Sequence, residues 1–224
     1  MISHRHKFIF ISIPKSGCTS IEYTLKPYAH PVLQGFENWH SIYFKHACFH
    51  KIIEEIKTEE INNYFKFAFV RNPYDWLVSN YTFNRGVHAP YIDVQVNRLL
   101  ENKQQKIYSA RDPEENFKYL RKKMNPMNFT DWVKYYTRNI NATQIELIES
   151  IDTTISLDFI GRFENFQQDF DIVCEKIGIP SQQLPYKNAT KHKHYTEYYD
   201  EETKQIVAEK YAKDIEYFGY KFGE

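Results

Sequence analysis

Twice in this chain a short apolar run is broken abruptly and followed by a helix-like segment. Lys7–Ile13 (KFIFISI) is β-rich and shows little alternation, the pattern of a strand covered on both faces. Pro14-Lys15-Ser16-Gly17 breaks it, and Thr19–Leu25 then supplies a hydroxyl cap and an apolar stripe at Ile21, Thr24 and Leu25. Lys66–Val70 (KFAFV) is the second run; Arg71-Asn72-Pro73 ends it, and a helix over Asp75 to about Asn84 follows. Two strand–loop–helix units in series constrain the fold to an α/β class with a mostly parallel central sheet flanked by helices. Leu157–Gly161 (LDFIG) reads as a third strand, followed by a helix over Asn165–Ile177 that closes at Gly178. Further helices are predicted over Phe49–Lys57, Phe129–Arg138 and, as a single amphipathic element, Asp200–Tyr217. Residues 85–128 are irregular and polar, an expected mobile insertion in one domain spanning 1–224.

Composition narrows the function. Lys plus Arg and Asp plus Glu each number 29, a zero formal net charge that argues against a general nucleic-acid binder. Cys18, Cys48 and Cys174 are odd in number and far apart, so neither a disulfide framework nor a zinc site reads out, and no metal is expected. The first apolar stretch, Phe8–Ile13, is too short for a signal peptide or a membrane span, so a cytoplasmic protein without an integral membrane segment is expected. Aromatics reach 17%, which fits either an aromatic core or sugar stacking.

The chemistry concentrates in the two breaks. In the first, Lys15, Ser16, Gly17, Cys18, Thr19 and Ser20 lie between a strand and a helix N-terminus, where backbone N–H groups form an anion site. Gly17 permits close backbone approach, Lys15 adds a full charge, and Thr19 and Ser20 add hydroxyls. The generic P-loop order G-x-x-x-x-G-K-[ST] is not met, and an ordinary strand–helix turn is the bland alternative. In the second, Arg71 stands at the C-terminal end of a strand, where ligands of open α/β sheets bind. Ser79 follows eight residues later, so that a turn at Asn72-Pro73 brings both to one phosphate, unless each is simply a surface residue. A P-loop NTPase would want an acidic Mg²⁺ ligand where Arg71 stands.

PKSGCTS after a strand, followed by FAFVRNPYDWLVSNY, resembles the two nucleotide-binding segments of the sulfotransferases. The stretch Asp158–Phe166, Asp169-Phe170 and the ending Tyr211…Asp214…Phe218-Gly219-Tyr220 resemble the carbohydrate-sulfating branch, the sulfotransferase family 2-like enzymes. The resemblance runs from about Lys7 to Phe222 and implies a P-loop-kinase-like sulfotransferase fold. It implies 3′-phosphoadenosine 5′-phosphosulfate (PAPS) as co-substrate, with the first loop on the 5′-phosphosulfate and Arg71 and Ser79 on the 3′-phosphate. Cys18 stands where the family commonly has Thr, and the Arg-Lys-Gly segment of the small-molecule enzymes is missing. The implied acceptor is a carbohydrate or glycolipid hydroxyl. With no membrane anchor of the kind comparable Golgi enzymes carry, a bacterial surface polysaccharide or glycolipid is the expected context.

In-line transfer to a hydroxyl needs a base and a group to hold the leaving phosphate. Lys15 takes the second role. His46, in Phe44-Lys45-His46-Ala47, matches a Lys-His element of the branch and is the favoured base, histidine being the side chain whose usual range suits work near neutrality. His40, His50 and Glu22 are rivals. Lys191 and Lys193, in the basic loop Leu184–Tyr195, would close over the nucleotide, guide an anionic glycan, or stay solvated. Arg162 faces the nucleotide or pairs with Glu164. Two readings of other classes stand beside the transferase: a non-catalytic nucleotide binder, which needs no base, and a kinase-like phosphotransferase.

Overall fold

The computed structural model describes residues 1–29, 62–84, 126–139, 143–149, 156–187 and 192–224. In chain order the strands are β1 (Ile2–Ser3), β2 (Phe8–Ile11), β3 (Phe65–Val70) and β4 (Phe159–Arg162). The helices are α1 (Cys18–Leu25), α2 (Pro73–Asn84), α3 (Phe129–Asn139), α4 (Gln144–Ile148), α5 (Phe166–Lys176), α6 (Glu201–Lys210) and α7 (Ala212–Phe218). Two compact units emerge, Met1–Arg71 with Gln144–Ala189, and Asn72–Thr143 with Thr190–Glu224.

The first unit carries the sheet, in the order β1-β2-β3-β4. β2, β3 and β4 are parallel, with Phe8 opposite Phe65 and Val70 opposite Arg162, and β1 joins antiparallel through Ile2 opposite Ile9. The α/β class and mostly parallel sheet expected from the two strand–break–helix runs are therefore present. Side chains alternate across the pleat, and both faces are dry. Phe8, Phe10, Phe67 and Phe69 pack with Ile21 and Leu25 of α1 and with Phe170, Val173 and Cys174 of α5. Ile9, Ile11, Ala68 and Val70, on the opposite face, are equally buried. Each buried Phe, Ile, Leu or Val side chain contributes roughly 1.5–3 kcal/mol of transfer free energy. That explains the unalternated runs: a strand covered on both sides has no solvent face to mark with polar residues.

A charged residue interrupts the apolar run of β3. Lys66 is buried, and its ammonium meets the Asp158 carboxylate at 2.7 Å and the Tyr64 carbonyl at 2.7 Å. The same carboxylate accepts from the Lys66 backbone N–H, while the Asp158 N–H donates to the Lys66 carbonyl. The cluster fixes how the start of β4 lies along β3. Asp158→Ala strands the ammonium, and urea unfolding is expected to show a loss of roughly 3 kcal/mol, the low end for a broken buried pair because Asp158 is 44% exposed. Lys66→Met in the same chain should recover part of it; no recovery would show that the ammonium is not the cause.

The second unit is helical around an aromatic core. Trp76 and Tyr81 of α2, Phe129, Trp132 and Tyr136 of α3, and Val207 of α6 with Tyr211 are buried together. Trp132 stacks on Tyr136 at 4.4 Å, and Tyr211 meets Trp76 edge-on at 5.8 Å. The high aromatic content is thus largely core among the described residues. Asp200 caps α6 by accepting from the Thr203 N–H at 2.8 Å. The single helix expected over Asp200–Tyr217 is divided at Tyr211, whose φ of −108° and ψ of 25° leave the helical basin. The chain bends there, yet Tyr211 still donates to Val207 and accepts from Ile215, so the apolar periodicity runs on through a break it does not report. Among the described residues, no helix is long and apolar enough to cross a membrane.

Candidate active site

β2, β3 and β4 run parallel, so their C-terminal ends lie on one edge of the sheet, where loops rather than ladders satisfy the backbone. The loop after β2 turns sharply and enters α1. Lys15 and Gly17 both adopt left-handed backbone conformations, with φ of 64° and 79°. A loop of this kind turns successive N–H groups toward one point, and α1 adds the positive end of its dipole. A left-handed lysine costs about 1–3 kcal/mol and persists only where its surroundings hold it.

The surroundings of Gly17 are aromatic. A Cβ on Gly17 would fall 2.6 Å from Phe166 Cε2 and closer still to Cζ. Phe166 in turn stands edge-on to Phe69 at 5.5 Å and against Phe163 at 5.3 Å. Gly161 makes room for Phe69, since a Cβ there would lie 2.6 Å from Phe69 Cε1. The glycine of the loop and the glycine of β4 are therefore both demanded by this set of rings. Ser16 is buried within the loop, and its hydroxyl has no hydrogen-bond partner among the described residues. An oxyanion held by the loop is the kind of partner that would satisfy it.

Arg71 follows the last residue of β3 and is buried. Its Nη1 donates to the Lys15 carbonyl at 3.2 Å, and its guanidinium lies 4.1 Å from the Phe163 ring centroid. The structure thus ties the cation of the second motif to the phosphate-type loop of the first, two segments 56 residues apart. Gln144, at the start of α4, holds the Arg71 main chain from both sides: its Oε1 accepts from the Arg71 N–H at 2.8 Å and its Nε2 donates to the Arg71 carbonyl at 2.7 Å. Nothing in the short QIELI segment signalled this.

Other expected site residues are distributed as follows. Cys18 is buried in the apolar cluster beneath α1. Thr19 is half-buried. The buried Ser20 hydroxyl accepts from the Lys187 N–H at 3.3 Å, and the Lys187 ammonium lies over Tyr23 at 4.4 Å, so the basic loop begins docked on α1. Glu22 accepts from the Ser12 hydroxyl at 2.8 Å just beyond β2. The Arg162 main chain donates to Asp169 at 2.6 Å. In the second unit, Ser79 is buried on α2, and Lys193 is exposed and 3.7 Å from Glu197. His40, His46, His50, Lys191 and the helix expected over Phe49–Lys57 lie outside the described residues, as does 85–125.

The model of the sulfotransferase family matches residues 1–221. Carbohydrate sulfotransferase 14 of Danio rerio is 26% identical over 242 residues, covering 98% of this chain. The chain spans 61% of that protein's length. A crystal structure of a sulfotransferase from Alicyclobacillus acidocaldarius aligns over 96% of each chain at 12% identity, with a TM-score of 0.33.

Proposed function

We propose, for a chain that belongs to the sulfotransferase family, that it moves the sulfuryl group of PAPS to a carbohydrate hydroxyl. The observation that carries this reading is the left-handed, cation-bearing loop Pro14–Ser20 with Arg71 bonded to it. Its fit to an anionic donor is supported by the buried Ser16 hydroxyl, which meets no hydrogen-bond partner among the described residues. The carbohydrate acceptor is supported by the similarity to carbohydrate sulfotransferase 14.

The donor supplies a sulfuryl group on a phosphate leaving group. An oxygen–sulfur bond forms to the acceptor as the sulfur–phosphate-oxygen bond breaks, and the acceptor proton must leave. Lys15 and the loop amides hold the charge that accumulates on the departing phosphate; such prearranged donors cost no reorganisation at that moment. Ser16, Thr19 and Ser20 add hydroxyl donors. Arg71 takes the 3′-phosphate, together with Ser79 as the family resemblance implies. His46 accepts the proton.

The test is calorimetric. Adenosine 3′,5′-bisphosphate is expected to bind much more tightly than AMP, and Arg71→Ala to weaken the bisphosphate at least tenfold, the worth of one charge-assisted hydrogen bond of about 1.5–3 kcal/mol. Equal affinities for the two nucleotides would remove the 3′-phosphate assignment.

A further inference from the structure

The sheet stops supporting β3 one residue too early. The β2 register ends at Ile11 opposite Ala68, and the β4 register ends at Arg162 opposite Val70. Arg71 therefore lies past the last ladder pair, where a chain end ordinarily frays. Its main chain is instead closed by one side chain. The Gln144 amide accepts from the Arg71 N–H and donates to the Arg71 carbonyl, the two bonds a neighbouring strand would exchange with it. Gln144 is fully buried, and both bonds are short at 2.8 and 2.7 Å.

A side-chain amide offers a donor and an acceptor on one carbon, side by side in one rigid plane. Asparagine is one methylene shorter. A buried Gln whose amide oxygen and nitrogen both serve another residue's backbone holds that backbone in position. What it positions is the guanidinium that reaches Lys15 and lies on Phe163. A rotation of the Arg71 peptide would swing a long side chain away from both.

We infer that Gln144 is a positioning residue for anion recognition: it acts as a one-residue strand that fixes the Arg71 backbone and so aims the guanidinium at the bound phosphate. This rests on the proposed role of Arg71 above. The loss on removing Gln144 should therefore be confined to ligands that Arg71 reads.

The experiment measures adenosine 3′,5′-bisphosphate and AMP binding by calorimetry on the full chain, as wild type, Gln144→Met, Arg71→Ala and the double variant. Gln144→Met keeps the length and removes both bonds. It is expected to weaken the bisphosphate roughly tenfold, as losing the Arg71 contact would, with AMP changed less than about twofold. In the Arg71→Ala background it should cost nothing further, because the two act as a unit. Native bisphosphate affinity in Gln144→Met, an equal loss for AMP, or additive losses in the double variant would each overturn the inference. If Gln144→Met does not fold, Gln144→Asn serves in its place. Amide exchange on the wild type tests the clamp without any substitution: the Arg71 N–H should exchange as slowly as those within β3, and fast exchange would overturn the clamp. A wild type that does not prefer the bisphosphate over AMP would defeat the role of Arg71 itself, and the inference with it. Slow Arg71 exchange alongside would leave the clamp as a feature of the fold alone.

Discussion

Replacing His46 with alanine is expected to lower sulfuryl transfer by about 10²–10⁴-fold while leaving the affinity for adenosine 3′,5′-bisphosphate nearly native. A base on the acceptor side touches the hydroxyl that loses its proton, and the bisphosphate carries no such group. Lys15→Ala separates from it cleanly. Lys15 belongs to the loop that opens onto α1; in the proposed role its charge would bear on the bound donor and more heavily on the leaving phosphate. Both affinity and rate should fall. Alanine still has a Cβ at a backbone φ of 64°, so the comparison with wild type isolates the ammonium rather than the turn. The measurement pairs bisphosphate calorimetry with transfer from labelled PAPS to the best glycan acceptor found. A near-native rate in His46→Ala would move the base to Glu22, His40 or His50. Glu22 is the one of these with a described partner, the Ser12 hydroxyl at 2.8 Å. Tight bisphosphate binding with no transfer to any glycan, lipid or peptide would favour the non-catalytic nucleotide binder.

What the sequence made legible follows from which interactions are local. β2, β3 and the helices after them were readable because a doubly covered strand must be apolar at every position, and because Pro14 and Pro73 punctuate them. Gly17 and Lys15 stood out because a short loop between strand and helix leaves few residue types that fit. β1 escaped notice: two residues carry no period, and Ile2–Ser3 is a strand only because Phe8 and Ile9 lie alongside it. Gln144 escaped for the same reason at longer range. Its meaning lies in a residue 73 positions away, and nothing in its own neighbourhood requires an amide. Phe163 and Phe166 were visible only as part of a family-like string; that one bears on Arg71 and the other on Gly17 is a matter of tertiary packing. The Tyr211 break shows the converse, a periodic pattern that continues across a bend because both halves bury the same side of the chain.

Gly17→Ala should be the most damaging single-atom-group change in the loop. Two independent obstacles meet at that Cβ. The backbone φ of 79° is one that L residues occupy at a cost of about 1–3 kcal/mol. The methyl would also enter the edge of the Phe166 ring, and overpacking of this kind costs about 1–3 kcal/mol. Phe166 has little room to retreat, since it is held between Phe69 and Phe163. The loop is the softer party and is expected to move, which spares global stability and spoils the anion cradle. Rebuilding the cradle on binding must then recover the combined cost. Even the low ends together come to about 2 kcal/mol, so bisphosphate affinity should fall at least about thirtyfold. Thermal unfolding should shift far less than the affinity. Phe166→Leu placed in the Gly17→Ala chain separates the obstacles, because it opens space for the methyl and leaves the φ unchanged; recovery should be partial. Full recovery would assign the effect to the ring alone. Native affinity in Gly17→Ala itself would mean that the bound anion does not need the left-handed turn, and the loop would lose its place as the donor site.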